Sequence, residues 1–231
     1  IISLIYGAFC FLLPNTPPKA DAVENLAFKK AFNLFSNKSF LVLVLASLGV
    51  SIIHQIYFLQ TGPFLSSIGI KDSSIGPAMT IGQFAEIATM AYLGFFLKRL
   101  GFKKVITIGI FAYFARYMIF GTSFLPTWVM VMSQAFHGFC FAFFFAAGFI
   151  YVDKLADDDV RHSAQTVFGI IIFGGGPVVG GWLSGYLQNI YTLDGVFNYS
   201  SFWYTLAGIG LVVTLLFYSS FNSTLSKETA S

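Results

Sequence analysis

Charged residues are scarce in this chain. Of its 231 residues, 10% are Asp, Glu, Lys or Arg, whereas soluble domains carry about 25%. With 56% hydrophobic residues and a mean hydropathy of +0.76, the chain has too little polar surface to stay dissolved. This shortage excludes a soluble enzyme, a disordered chain and a nucleic-acid binder, so we expect neither an enzyme nor a partner of nucleic acid.

Cysteine is also scarce. The two cysteines, Cys10 and Cys140, both lie inside apolar runs, which leaves no disulfide framework and no paired metal site. We therefore expect no metal and no cofactor. The first residue is Ile rather than Met and the first apolar run is short, so we expect the C-terminal part of a longer protein, in which no signal peptide can be read.

Long apolar runs are what the chain does have. A helix that spans a membrane needs about 20 mostly apolar residues, and six complete runs of that kind occur, at 40–65, 74–97, 105–122, 126–151, 163–187 and 201–221. A partial run, 1–13, stops at Pro14. Backbone groups in lipid must pair within their own segment, so the runs predict an all-α, polytopic protein in the lipid bilayer.

The basic residues are distributed unevenly between the two sides of the predicted bundle. If each run crosses once, one side holds only Lys71, and Arg116 lies inside a span. The other side holds eleven: Lys19, Lys29, Lys30, Lys38, Lys98, Arg99, Lys103, Lys104, Lys154, Arg161 and Lys227. Cytoplasmic loops carry an excess of Lys and Arg, so we place these eleven in the cytoplasm.

Two charged residues lie near mid-membrane, Glu86 in the second span and Arg116 in the third. Such residues are costly and by default suggest a functional site. They could form a buried ion pair that fixes helix register, or Glu86 could face a wet cavity and bind substrate, a proton, or both. Thr80 and Gln83 precede Glu86 at three-residue intervals on the same helix face, which favours a polar cavity.

Other spans add polar groups at similar depth, namely Gln55 in the first and His137 in the fourth. A lone histidine in a helix more often makes an interhelical contact, but here four spans each place a polar group near the midplane. Together with the aromatic walls Phe141, Phe144 and Phe145, they fit a pocket for a flat, polar small molecule.

Glycines interrupt the fifth span at 174–176, before Pro177, and recur as the pairs Gly176/Gly180 and 181/185. Small residues at this spacing permit close helix packing, and a gating hinge is the alternative role for these glycines.

The loop before this span runs from Asp153 to Arg161 and is dense in charge. Its aspartates could cap the next helix, and Arg161 could pair with them or with the other half of the protein.

The segment from Gly94 to Lys104, GFFLKRLGFKK, resembles the short loop motif of the major facilitator superfamily, with Lys98 where an acid is usual. Within that superfamily the chain resembles the nucleoside:proton symporter family. Three segments carry the resemblance: YGAFCFLLPNTPP from Tyr6, QFAE from Gln83, and YVDK from Tyr151 followed by RHSAQ from Arg161.

The resemblance implies the C-terminal half of a twelve-helix transporter in the bacterial inner membrane. It divides the chain into the end of helix six (1–13), a cytoplasmic linker (14–38), the six-helix half (39–221) and a cytoplasmic tail (222–231). Within the linker, Lys29, Lys30 and Phe28, with Phe32 and Leu34, fit a short helix on the membrane surface or a solvated segment. An N-terminal half, absent from this sequence, would be the partner.

The family also implies proton-coupled nucleoside import by alternating access. Its substrate contacts fall on Gln55, Gln83, Glu86, His137 and Phe141, with Glu86 as the candidate for proton coupling and Arg116 holding Glu86 or a carbonyl. The family more often has tyrosine at position 137, and polar residues near Phe58 and Phe145. A sugar or another small polar solute is an alternative cargo, and a membrane sensor or scaffold that transports nothing is an alternative function.

Overall fold

The computed structural model describes residues 2–14, 32–158, 160–223 and 225. Nearly all of them are helical. A short helix α1 (Ile2–Cys10) is followed, beyond a 3-10 turn at Leu34–Ser36, by five long apolar helices: α2 (Lys38–Ser67), α3 (Asp72–Gly121), α4 (Thr127–Leu155), α5 (Arg161–Tyr191) and α6 (Tyr199–Ser220). The linker residues Lys19, Phe28, Lys29 and Lys30, and Lys227 of the tail, lie outside the described residues.

Helix α3 is two membrane spans joined at a glycine. Its 50 residues would extend about 75 Å at 1.5 Å per residue, far more than the roughly 30 Å of a bilayer core. Gly101 breaks it with φ 78° and ψ 165°, dividing it into α3a (72–100) and α3b (102–121). The described chain therefore has six membrane-spanning segments, which confirms the six apolar runs.

Helices α4 and α5 each contain a π-helical stretch, at Phe139–Ala146 and Ile171–Gly175 respectively. A π-helix makes i→i+5 hydrogen bonds, and single turns of it recur at functional sites. In α4 it follows a 3-10 turn at Ser133–Ala135 and the turn Phe136–Gly138 that carries His137. Hydropathy does not reveal such stretches, and the sequence did not predict them.

The helices pack around aromatic side chains. Helix α3 contacts α4 and α6, and α2 contacts α5 and α6. Trp203 of α6 is fully buried, and its ring centroid lies 5.0 Å from Phe120, 5.4 Å from Tyr117 and 5.5 Å from Phe64. Such pairs add about 0.5–1.5 kcal/mol beyond the burial of their area, so this cluster holds α2, α3b and α6 together.

Glycines allow α5 to approach α2 closely. A Cβ at Gly180 would lie 2.8 Å from the Ile52 carbonyl oxygen and 2.9 Å from the Gln55 Cβ. One turn earlier, Gly176 faces Ser51, whose hydroxyl donates to the Ile172 carbonyl. A Cβ at position 181 or 185 would meet no described atom within 4 Å. Close packing therefore involves the first glycine pair.

A two-residue hairpin joins α5 to α6. Its strands β1 (Thr192–Leu193) and β2 (Val196–Phe197) pair antiparallel. The turn residues Asp194 and Gly195 have φ values of 51° and 78°, as a type I′ turn requires, and Asp-Gly is a preferred sequence for that turn. The hairpin lies on the side of the bundle that carries Lys71, because Phe197 of β2 lines the same cavity as Ser67 and Ile68.

Candidate functional site

Glu86, His137 and Arg116 form a line of three polar side chains where α3a, α4 and α3b meet. The Oε2 of Glu86 lies 3.6 Å from the Nε2 of His137, whose Nδ1 lies 3.4 Å from the Nη1 of Arg116. Among the described contacts, Glu86 and Arg116 do not pair directly. The expected contact of Arg116 with Glu86 or a carbonyl is therefore replaced by one with the imidazole between them.

Close helix packing brings Glu86 next to His137. A Cβ at Gly82 would lie 3.1 Å from the His137 Cβ, and one at Gly138 would lie 2.5 Å from the Ala85 carbonyl oxygen. Gly82 lies one turn before Glu86, and Gly138 is adjacent to His137. Helices α3a and α4 therefore come into contact at the level of the site.

Arg116 is fully buried and has no carboxylate within 4.0 Å among the described residues. Its guanidinium carbon lies 3.8 Å from the ring centroid of Tyr57, 5.4 Å from that of Tyr113 and 5.3 Å from that of Tyr117. A desolvated cation over an aromatic face is attracted by about 2 kcal/mol or more. The three tyrosines, which we call the tyrosine cage, therefore stabilise the buried charge.

Hydrogen bonds hold the cage in place. The Tyr57 hydroxyl donates to the Gln134 Oε1 at 2.7 Å, and the Tyr117 hydroxyl donates to the Ile53 carbonyl at 2.7 Å. The Tyr113 hydroxyl lies 2.7 Å from the Nδ1 of His54. The sequence analysis missed Tyr113 and Tyr117. Their position three residues before and one after a charged residue inside an apolar span was the available signal.

One side of the cluster is exposed. The Glu86 side chain is 26% accessible, whereas His137 is 4% accessible. Ring contacts continue the surface from His137 to Phe141 at 6.4 Å, then to the buried Phe145 at 5.8 Å, and from there to the exposed Phe173 of α5 at 6.2 Å. We call this surface, with Glu86, Phe141, Phe173 and the exposed Gln83 and Phe58, the open face.

The predicted site residues divide into two groups. Glu86, His137 and Phe141 are in contact. Gln83 lies on the open face without a hydrogen bond to a described residue, and Gln55 is half-buried against Gly180 of α5. Phe144 and Phe145, both expected as aromatic walls, are 1% and 2% exposed and belong to the core.

Arg161 forms hydrogen bonds across the loop between α4 and α5. Its Nε donates to the Asp153 carbonyl at 3.1 Å, and its Nη2 donates to the Asp158 carboxylate at 2.5 Å. The Asp153 carboxylate also accepts from the Gln165 Nε2 at 2.9 Å. Helix α5 begins after Val160 without a side-chain cap, so the expected capping by aspartates was wrong for those that the structure describes.

A cavity of about 480 Å³ lies away from this cluster, at the end of the bundle near the hairpin. Phe64, Phe120, Met130, Asn198 and Tyr199 are among its lining residues. Among the described residues, its lining has no Asp, Glu, His, Lys or Arg side chain that could carry a proton, whereas the Glu86 cluster has a carboxyl.

Comparison with known proteins gives consistent matches. The sequence profile described as Nucleoside H+ symporter matches residues 1–225. The nucleoside permease NupG of Escherichia coli is 30% identical over 95% of this chain and 56% of its own length, and the xanthosine permease of the same organism is 29% identical with the same coverage.

The fold matches as well. The crystal structure of a single-residue mutant of the nucleoside transporter NupG aligns with a TM-score of 0.80 and 30% identity, over 95% of this chain and 58% of that one. The chain thus has the fold of the C-terminal six-helix half of a major facilitator protein. It spans about half the length of the relatives that it matches, and it belongs to the nucleoside H+ symporter family.

Proposed function

We propose that this chain forms the C-terminal half of a proton-coupled nucleoside importer of the bacterial inner membrane. The observation that carries the proposal is a partly exposed carboxylate, Glu86, held beside His137 in the middle of a membrane span. A carboxyl at this depth can exchange a proton with a wet cavity, whereas it is costly and without use in lipid. The names of the matched relatives support nucleosides as the cargo class.

Each side chain of the proposed site has a chemical role. Glu86 accepts hydrogen bonds from the ribose or base and carries the coupled proton. Gln55 and Gln83 bind polar edges, His137 offers a ring nitrogen, and Phe141 stacks on the base. Apolar walls with a few placed polar groups are typical of sites for small molecules.

Alternating access requires the two halves to move around this site. We propose the domain division 1–13, 14–38, 39–221 and 222–231, with the linker and tail in the cytoplasm. Asp153 and Arg161 hold the cytoplasmic ends of α4 and α5 together as a gating element. Gly176 and Gly180 keep α5 close to α2 during the motion.

A different small polar solute is the second candidate cargo. His137 stands where the family more often has tyrosine, and family positions near Phe58 and Phe145 that are polar are apolar in this chain. A panel of unlabelled nucleosides, nucleobases and sugars, each competing against labelled uridine, decides between these cargoes. A sensor or scaffold would accumulate none of them.

The central test is Glu86→Gln in the complete transporter, expressed in cells that lack their own nucleoside carriers. Losing a charged hydrogen-bonding group costs about 1.5–3 kcal/mol, so we expect gradient-driven uptake of radiolabelled nucleoside to fall about tenfold or more. Residual uptake should no longer respond to a protonophore.

Asp194→Asn is the matched control, because it also removes one carboxylate but lies in the hairpin turn, where asparagine adopts the same positive φ. Its uptake should match the unmodified protein. Full, protonophore-sensitive uptake by a well-expressed Glu86→Gln variant would exclude the coupling role.

A further inference from the structure

The two ring nitrogens of His137 face partners of opposite character. Nδ1 lies 3.4 Å from the Arg116 Nη1, and Nε2 lies 3.6 Å from the Glu86 Oε2. An arginine N–H can only donate a hydrogen bond, whereas an ionised carboxylate can only accept and a protonated carboxyl keeps an acceptor oxygen. Nδ1 must therefore be the acceptor, and a neutral imidazole whose Nδ1 accepts carries its proton on Nε2.

We propose that Arg116 is a positioning residue that fixes His137 as the Nε2–H tautomer. His137 then presents a donor to the open face, either to Glu86 or to an acceptor atom of a ligand that displaces the Glu86 carboxylate from it. The identity of that ligand rests on the proposed function, whereas the tautomer does not.

Arg116 is suited to this role because its own state cannot change. A guanidinium stays protonated in proteins, and the tyrosine cage holds it in a fully buried position. The opposite tautomer would direct an N–H of His137 at a buried N–H of Arg116, leaving both donors without an acceptor, which is costly away from water.

His54 provides a contrast within the same cluster. Its ring stacks on that of His137 with centroids 5.6 Å apart, but its Nδ1 faces the hydroxyl of Tyr113. A hydroxyl can donate or accept, so this contact does not select a tautomer. Tautomer selection is thus specific to the arginine contact.

The proposal makes the importance of Arg116 depend on the residue at position 137. A tyrosine there has one hydroxyl hydrogen and needs no neighbour to select its donor. Substituting Arg116 should therefore impair ligand binding when residue 137 is histidine, and have little effect when it is tyrosine.

The direct test is the ¹⁵N NMR spectrum of the full-length transporter with labelled histidine, in which His137→Gln identifies the resonances of His137. We expect a protonated Nε2 and an unprotonated Nδ1. In Arg116→Met, which has similar length but no donor, the two signals should shift toward a mixture of tautomers. Arg116→Lys retains a donor, so its two His137 signals should stay closer to those of the unmodified protein than the signals of Arg116→Met do.

A protonated Nδ1 in the unmodified protein would overturn the proposal even if no Arg116 variant folded. An unchanged tautomer in a folded Arg116→Met variant would overturn it as well.

Transport kinetics provide an independent readout. Arg116→Met should raise the nucleoside KM about tenfold, the cost of one lost hydrogen bond in a desolvated site. The same substitution made in the His137→Tyr protein should raise KM less than about twofold further. Equal effects in both proteins would mean that Arg116 only supports the fold. If neither the unmodified protein nor any variant accumulates nucleoside, the proposed function is wrong. The NMR spectrum still decides the tautomer of His137 in that case.

Discussion

Gly101 turns the chain between two membrane spans in a conformation that is nearly exclusive to glycine, with φ 78° and ψ 165°. Gly101→Ala should therefore destabilise the protein by about 1–3 kcal/mol. Gly94→Ala, seven residues earlier, is the control, because an added Cβ there meets no described atom within 4 Å and alanine favours helix by about 0.5–1 kcal/mol. The stability of both variants is measured by thermal unfolding of the purified proteins in detergent. Equal melting temperatures for Gly101→Ala and Gly94→Ala would contradict the strain at Gly101.

The sequence identified Glu86, Arg116 and His137 separately, because a charged or polar group inside a long apolar run is visible without a structure. It could not predict that His137 lies between the other two. That arrangement depends on the rotation of α3a and α4 about their axes and on the close contact at Gly82 and Gly138. For the same reason, the sequence placed Phe144 at the pocket wall, although it faces the core.

At the scale of helices, the adjacent residues Gly180 and Gly181 differ in how much space surrounds them. An added Cβ at Gly180 would lie 2.8 Å from the backbone of α2, whereas one at Gly181 would meet nothing described within 4 Å. Gly180→Ala should force α2 and α5 apart and cost about 1–3 kcal/mol, while Gly181→Ala should not destabilise the protein, because alanine favours helix by about 0.5–1 kcal/mol. The check is thermal unfolding of both variants, and a larger loss for Gly181→Ala would contradict this packing.

Helix positions were predictable because hydropathy reports how long a segment is and whether lipid surrounds it. Each of the six apolar runs matches one span of the described chain and extends at most one residue beyond it. Hydropathy does not report local winding, so the π-helical stretches at Phe139–Ala146 and Ile171–Gly175 gave no signal. The hairpin at Asp194 and Gly195 did leave a signal, the Asp-Gly pair, but two-residue strands are too short to be predicted from alternation.

At the scale of the whole molecule, contacts between distant segments show which helix ends lie together. The Ser39 hydroxyl donates to the Asn222 carbonyl, and the Lys103 Nζ lies 3.4 Å from the Asn222 Oδ1. The start of α2, the start of α3b and the end of α6 are thus neighbours. At the opposite end, the Ser66 hydroxyl donates to the Asp72 carboxylate at 3.1 Å, next to Lys71. The ring of Tyr151, near the end of α4, lies 5.3 Å from that of Phe102, which brings Lys154 and Arg161 to the same end as Lys103. The described basic loop residues therefore share one end of the bundle, away from Lys71.

This arrangement predicts the orientation in the membrane. Because Lys and Arg concentrate in cytoplasmic loops, position 103 should face the cytoplasm and position 71 the outside. Cys10→Ser and Cys140→Ala would remove the two cysteines of this chain, and any cysteine in the rest of the transporter would be replaced as well. Cys140 is fully buried, so alanine, which is smaller and uncharged, is its replacement. Single cysteines at Lys71 and Lys103 are then exposed to a thiol reagent that cannot cross the membrane. In intact cells, Lys71→Cys should react and Lys103→Cys should not, whereas both should react once the membrane is opened with detergent.

The detergent step shows that an unreactive cysteine was shielded by the membrane and not by the fold. Labelling of Lys103→Cys but not Lys71→Cys in intact cells would reverse the topology and place the Asp153–Arg161 contact on the outside.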